Sequence, residues 1–152
     1  MLTHSTNTNH LFTCSGSFYL SFGITLDPNY GLQSTLGTNG PLLNSTLGFY
    51  LIVWAVFVYF LSIGALVTNF VNLVVVFFVG LCFNVLGCSY LALADGRAAS
   101  AARLQVASGA LGFVASIAGL YSLLHLILAA VDFPFNVPLG DLSRFWPKKK
   151  AS

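Results

Sequence analysis

Three long stretches of uninterrupted apolar sequence dominate the chain, at residues 47–67, 70–93 and 107–130. A helix needs about 20 apolar residues to cross the ~30 Å hydrocarbon core of a bilayer, and each run is long enough. The second run, FVNLVVVFFVGLCFNVLGCSYLAL, is rich in β-branched and aromatic residues, a composition that also suits strands. An isolated strand cannot satisfy its backbone in lipid, so length decides for a helix. A fourth run, residues 11–26, is only 16 residues long and carries Ser, Thr, Cys and Gly. It can be a short spanning helix, a re-entrant piece or a core helix, and a short helix buried in the bundle is the favoured form. The expected fold is all-α: a polytopic membrane helix bundle, 11–130, with three strong transmembrane helices plus a weaker N-terminal one.

The polar positions set the connections. Residues 1–10 form a polar N-terminal segment. Residues 27–46, DPNYGLQSTLGTNGPLLNST, carry Pro, Gly and Asn and are expected to be a loop. Asn44-Ser45-Thr46 within it matches an N-glycosylation triplet, a pattern that also arises by chance. Thr68-Asn69 leaves space for only a tight turn, which makes the flanking helices antiparallel neighbours. Residues 94–106 are expected to form a polar connector with space for a helical turn. Residues 131–152 form a tail in which Pro134, Pro138 and Pro147 stop any helix from continuing.

Composition narrows the class. Hydrophobic residues make up 57% of the 152 and charged residues 7%, against about a quarter charged in an average globular domain. So few charges cannot cover a water-soluble domain of this size. No spread-out basic surface exists for nucleic acid. The tail carries Arg144, Lys148, Lys149 and Lys150 and the 94–106 connector carries Arg97 and Arg103, on opposite sides of the last helix. Four against two favours a cytoplasmic tail and places the 27–46 loop outside. The first ten residues lack Lys and Arg, so a cleaved secretory signal is not expected. Cys14, Cys82 and Cys88 form no C-x-x-C pair and read as small membrane-compatible residues rather than disulfides or metal ligands.

Polar residues inside the runs are the candidate chemistry. Asn72, Gly80, Asn84 and Cys88 fall at multiples of four and share one face of the 70–93 helix. The stripe is either a helix–helix packing seam or the wall of a solute pathway. Ser108, Gly112 and Ser116, with Ala115 and Gly119 beside them, read as small-residue packing on the 107–130 helix. His125 is the titratable group within the strong helices. It is either a proton relay or a neutral histidine bonded to a backbone or hydroxyl partner, with Asp132 near the same face. There is no phosphate loop, nucleophile elbow or metal-ligand cluster in the sequence, so no catalytic residue, metal or cofactor is assigned and an enzyme is not expected.

Several strings carry a family resemblance: Arg103-Leu104-Gln105-Val106-Ala107, Gly109-Ala110-Leu111, Val131-Asp132-Phe133-Pro134-Phe135 and Pro138-Leu139-Gly140-Asp141-Leu142. They resemble the C-terminal part of the acetate uptake transporter family, also called the succinate–acetate permease family, in its fungal branch. Fungal members are often described as ammonium exporters. Gly16-Ser17-Phe18-Tyr19-Leu20-Ser21-Phe22-Gly23 is similar to the family's third helix, usually written G-x-F-W-L.

The resemblance implies helices three to six of a six-helix fold, covering the C-terminal two-thirds of the family's length. The N-P-A-P-L-G-L signature of the first helix does not occur here. It implies that Ser15 stands where relatives place an aromatic gate residue, that Val79 matches a gate leucine, and that Asn84 and Tyr121 face the pore. It further implies a plasma-membrane transporter of acetate and related small monocarboxylates, ammonium- or proton-linked, with the lipid bilayer and a small anion as partners. Relatives assemble as hexamers, so a homo-oligomer is expected. The alternative is a non-transporting truncated remnant, or a partner subunit of full-length relatives.

Overall fold

A computed structural model describes residues 16–36, 40–131, 133–135, 137–140 and 142. The described elements are helical. α1 is Gly16–Leu26, followed by a 3-10 turn at Pro28–Tyr30 and the short α2, Leu32–Leu36. Three long helices follow: α3 (Pro41–Ala65), α4 (Phe70–Ala94) and α5 (Ala98–Ala130). All three are long and apolar enough to cross a membrane. The chain is therefore a membrane helix bundle.

α4 is the central helix, packed against α3 on one side and α5 on the other. The buried positions of α3 include Asn44, Leu47, Gly48, Leu51, Ala55, Val58, Ser62 and Ala65. They step by three and four residues, the spacing of a nearly straight antiparallel seam. At the seam's tightest point Gly48 meets Gly87. A Cβ on Gly87 would lie 2.8 Å from Ile52 Cγ1 and 3.0 Å from the Gly48 carbonyl oxygen. Only residues without a Cβ let the two backbones come so close.

The turns follow local chemistry. The Asn69 side chain accepts from the Asn72 N–H at 2.7 Å, an N-cap on α4 immediately after the tight turn. At the other end Gly96 adopts φ +75, while Arg97 N–H donates to Ala92 O at 2.9 Å and Gly96 N–H to Leu93 O at 3.0 Å. These two bonds close a left-handed helix terminus that favours glycine. Ser89 Oγ, fully buried, donates to Ala101 O at 3.0 Å and ties α4 to the first turns of α5.

Two expectations change. α3 begins at Pro41, inside the expected 27–46 loop, because proline suits the first turn of a helix, where its missing N–H has no partner to lose. Asn44 consequently lies in α3 and is 7% exposed, which does not present its amide to a glycosylating enzyme. α5 begins at Ala98, so the expected 94–106 connector shrinks to Asp95–Arg97. Residues 98–107, AASAARLQVA, are polar enough to resemble a connector, but alanine is the strongest helix former.

Candidate functional site

α1 meets α3 and α4 through an aromatic cluster. The ring of Phe18, 4% exposed, lies 4.5 Å from Phe83 of α4 and 5.1 Å from Trp54 of α3, centroid to centroid. Tyr50 stacks on Phe18 at 6.0 Å and on Phe22 at 6.1 Å. Aromatic rings at such separations attract beyond their area burial. The Tyr50 hydroxyl also shares a 2.6 Å hydrogen bond with Ser21 Oγ, so a polar link joins α1 to α3 inside the apolar layer.

Two cavities flank this cluster. One, of about 230 Å³, lies between α1, α4 and α5 and is lined by Tyr19, Val79, Cys82, Phe83, Gly112, Ala115 and Ser116. The other, of about 220 Å³, lies towards α3 and is lined by apolar and aromatic side chains including Trp54, Phe57, Leu61 and Val75. Tyr19, Val79 and Phe83 line both, so these three side chains form the partition between them. The first cavity is the more polar, with Tyr19, Cys82 and Ser116 on its wall. Ser116 Oγ donates back to Gly112 O at 2.9 Å. The space exists because the α5 wall is built from Gly112, Ala115 and Ser116. A Cβ on Gly112 would meet Cys82 Sγ at 3.4 Å and nothing else within 4 Å.

The residues singled out from the sequence fall in three places. Val79 is in the partition. Asn84 sits on α4, where its Oδ1 accepts a long 3.9 Å contact from Cys88 Sγ, and it is not among the lining residues of either cavity. Tyr121 and His125 lie further along α5. The Tyr121 hydroxyl donates to Pro138 O at 2.9 Å, and His125 Nδ1 donates to Val137 O at 2.7 Å. A carbonyl can only accept, so the Nδ1 of His125 carries a proton. Ser15 and Asp132 lie outside the described residues.

The Asn72–Cys88 stripe is divided by the packing. Gly80 lies against Tyr59 of α3, whose ring a Cβ would meet at 2.7 Å. Asn72 is drawn to the helix start, its Nδ2 donating to Thr68 Oγ1 at 3.4 Å. The sequence reading missed Tyr19, Phe83, Cys82 and Gly112. The signal for Tyr19 and Gly112 was present in the G-x-F-W-L-like string and the α5 small-residue stripe, but no periodicity reveals that they face each other.

Residues 1–144 match the model of the GPR1/FUN34/yaaH family. An acetate transporter protein patA of Aspergillus clavatus is 35% identical over 137 residues, covering 90% of this chain and 55% of that protein. The acetate transporter protein patA of Penicillium expansum is 31% identical over 133 residues, covering 88% and 53%. Protein alcS of Aspergillus fumigatus is 32% identical over 148 residues, covering 91% and 54%. The chain thus spans about half the length of the curated relatives it matches. No solved structure matches it. With nearly the whole chain inside the matched region, this membrane helix bundle belongs to the GPR1/FUN34/yaaH family.

Proposed function

We propose that the chain forms part of a transmembrane pathway for acetate and related small monocarboxylates. The observation that carries this reading is the cavity of about 230 Å³ between α1, α4 and α5, in a chain whose relatives include two named acetate transporters. The cavity's size admits a solute of a few heavy atoms. Tyr19, Cys82 and Ser116 bring polar side chains to its wall, and polar groups in hydrocarbon are retained where they face such a path. The Tyr19–Val79–Phe83 partition acts as the apolar gate, with Val79 in the role the resemblance assigns it and Tyr19 supplying an aromatic ring from α1.

Asn84 is placed outside the gate on this reading. Tyr121 and His125 belong to the tail-side end of the path. Ammonium or proton linkage, a plasma-membrane location and a cytoplasmic tail complete the proposal; the tail's side rests on its four basic residues against two in the segment before α5. A second reading is a subunit that works only beside other copies or longer relatives. The exposed apolar row Phe113, Ile117, Leu120 and Leu124 on α5 favours it, since a face of this kind takes either lipid or another helix.

Labelled acetate uptake in cells lacking their own permease tests the proposal. Uptake above the empty vector is expected, saturating with concentration. Uptake equal to empty vector, with the protein present in the membrane, would remove the transport reading and favour the partner subunit.

A further inference from the structure

The string Pro138-Leu139-Gly140 belongs to the most specific part of the sequence pattern, yet it lines neither cavity. It folds back beyond the end of α5 and lies across the start of α4. Phe70 N–H donates to Gly140 O at 2.8 Å and Val71 N–H to Leu139 O at 3.5 Å, while Leu142 N–H donates to Thr68 O at 3.2 Å. From α5, Tyr121 Oη reaches Pro138 O at 2.9 Å and His125 Nδ1 reaches Val137 O at 2.7 Å. Four consecutive carbonyls, 137 to 140, are therefore each engaged, two by α5 and two by α4. Val137 is 8% exposed.

The first N–H groups of a helix have no partner within it, and in a low-dielectric layer each unmet group costs several kcal/mol. With Asn69 capping the Asn72 N–H, residues 139 and 140 supply the acceptors for the N–H groups of Val71 and Phe70 at the start of α4. Gly140 makes this possible. Its φ is +68, and a Cβ there would lie 3.2 Å from Phe70 Cβ. A left-handed backbone at close range favours glycine.

We propose that residues 137–140 are a releasable strap that binds the tail-side ends of α4 and α5 to each other and holds the Tyr121 hydroxyl and the His125 imidazole engaged. Resting on the pathway reading above, the docked strap is the closed state of the tail-side end. Release would free two side-chain donors, Tyr121 and His125, towards a passing carboxylate and let the ends of α4 and α5 part. No covalent change is needed, since the strap's carbonyls and a solute or water compete for the same donors.

The strap is tested in the full chain in lipid vesicles, on a background of Cys14→Ser, Cys82→Ser and Cys88→Ser. Val137→Cys reports docking and the exposed Phe135→Cys is the reference. Labelling by a small polar thiol reagent is expected to be at least tenfold slower at 137 than at 135. Tyr121→Phe and His125→Leu, which each remove one tie, should speed labelling at 137 by about three- to tenfold, the factor that one ordinary net hydrogen bond is worth. Gly140→Val should bring it close to the reference rate. Equal rates at 137 and 135 in the parent chain, or no acceleration from either side-chain variant, would overturn the strap. Circular dichroism and size exclusion separate release from unfolding. Acetate flux is read on Gly140→Val in the chain with its own cysteines, a variant that releases the strap while keeping Tyr121, His125 and Cys82. Flux that rises as labelling rises supports closure, and flux unchanged by release overturns it. Accelerated labelling with no flux in any variant, parent included, leaves the strap standing and counts against the transport reading instead.

Discussion

Replacing Gly87 with leucine is expected to separate α3 from α4. The new Cβ would stand 3.0 Å from a backbone carbonyl at Gly48 and 2.8 Å from the stiff Ile52 side chain. Neither neighbour can swing away as the tip of a flexible side chain can, so the helices must move apart along the whole seam. Overpacking of this kind costs about 3 kcal/mol or more at a site that cannot relax, equivalent to a melting midpoint lower by roughly 10 °C in a chain of this size. Thermal unfolding of the purified protein in detergent measures it. Gly64→Ala is the control. No atom lies within 4 Å of a Cβ at Gly64, so the change should be neutral or stabilising by about 0.5–1 kcal/mol through helix propensity alone. Similar midpoints for the two variants would show that the Gly48–Gly87 approach does not hold the bundle together.

The second large effect is expected at Gly112. A leucine there places its first carbon in ordinary contact with Cys82 Sγ and sends the rest of the side chain into the cavity of about 230 Å³. Stability should change by less than about 1 kcal/mol, because the space is already present and the helix gains a better former than glycine. Acetate uptake, in contrast, should fall at least tenfold, the consequence of about 1.4 kcal/mol of added barrier. Gly119→Leu is the matched control, since Gly119 has open space around its Cβ position and lines neither cavity. Equal uptake in the two variants would place the solute path elsewhere.

Much of the fold could be read from run length. The three long helices, and the antiparallel pairing forced by Thr68-Asn69, follow from where apolar sequence starts and stops. The helix starts were less legible, for a physical reason in each case. Pro41 sits in a Pro-, Gly- and Asn-rich stretch, and proline both breaks a helix interior and suits a first turn, so the residue alone does not show which it does. Ala98 to Ala102 looks polar beside a lipid-facing run, although alanine needs no apolar neighbour to be helical. The polar stripe on α4 marked packing at Gly80, which lies against Tyr59 of α3, while the side chains of Asn72 and Cys88 bond one turn back along their own face, to Thr68 and Asn84.

The cavity was the least visible feature. Its wall combines one residue of α1 with three each of α4 and α5, and periodicity within one helix says nothing about which residues of another it meets. Cys82 looked like a small filler and Gly112 like a packing glycine, and each description holds for its own helix. The tail was recognisable as a motif, but its contacts run through backbone carbonyls, which the identity of the side chains does not reveal.

The central claim is that the space beside Cys82 is part of a solute path. Reaction of Cys82 with a small membrane-impermeant thiol reagent tests it most directly, using the full chain in vesicles with Cys14→Ser and Cys88→Ser. Cys82 is expected to be labelled, acetate to slow the reaction in a concentration-dependent way, and Gly112→Leu to block it. A Cys82 thiol that stays unlabelled in the folded protein, and reacts only after denaturation, would contradict the claim and return the cavity to ordinary packing.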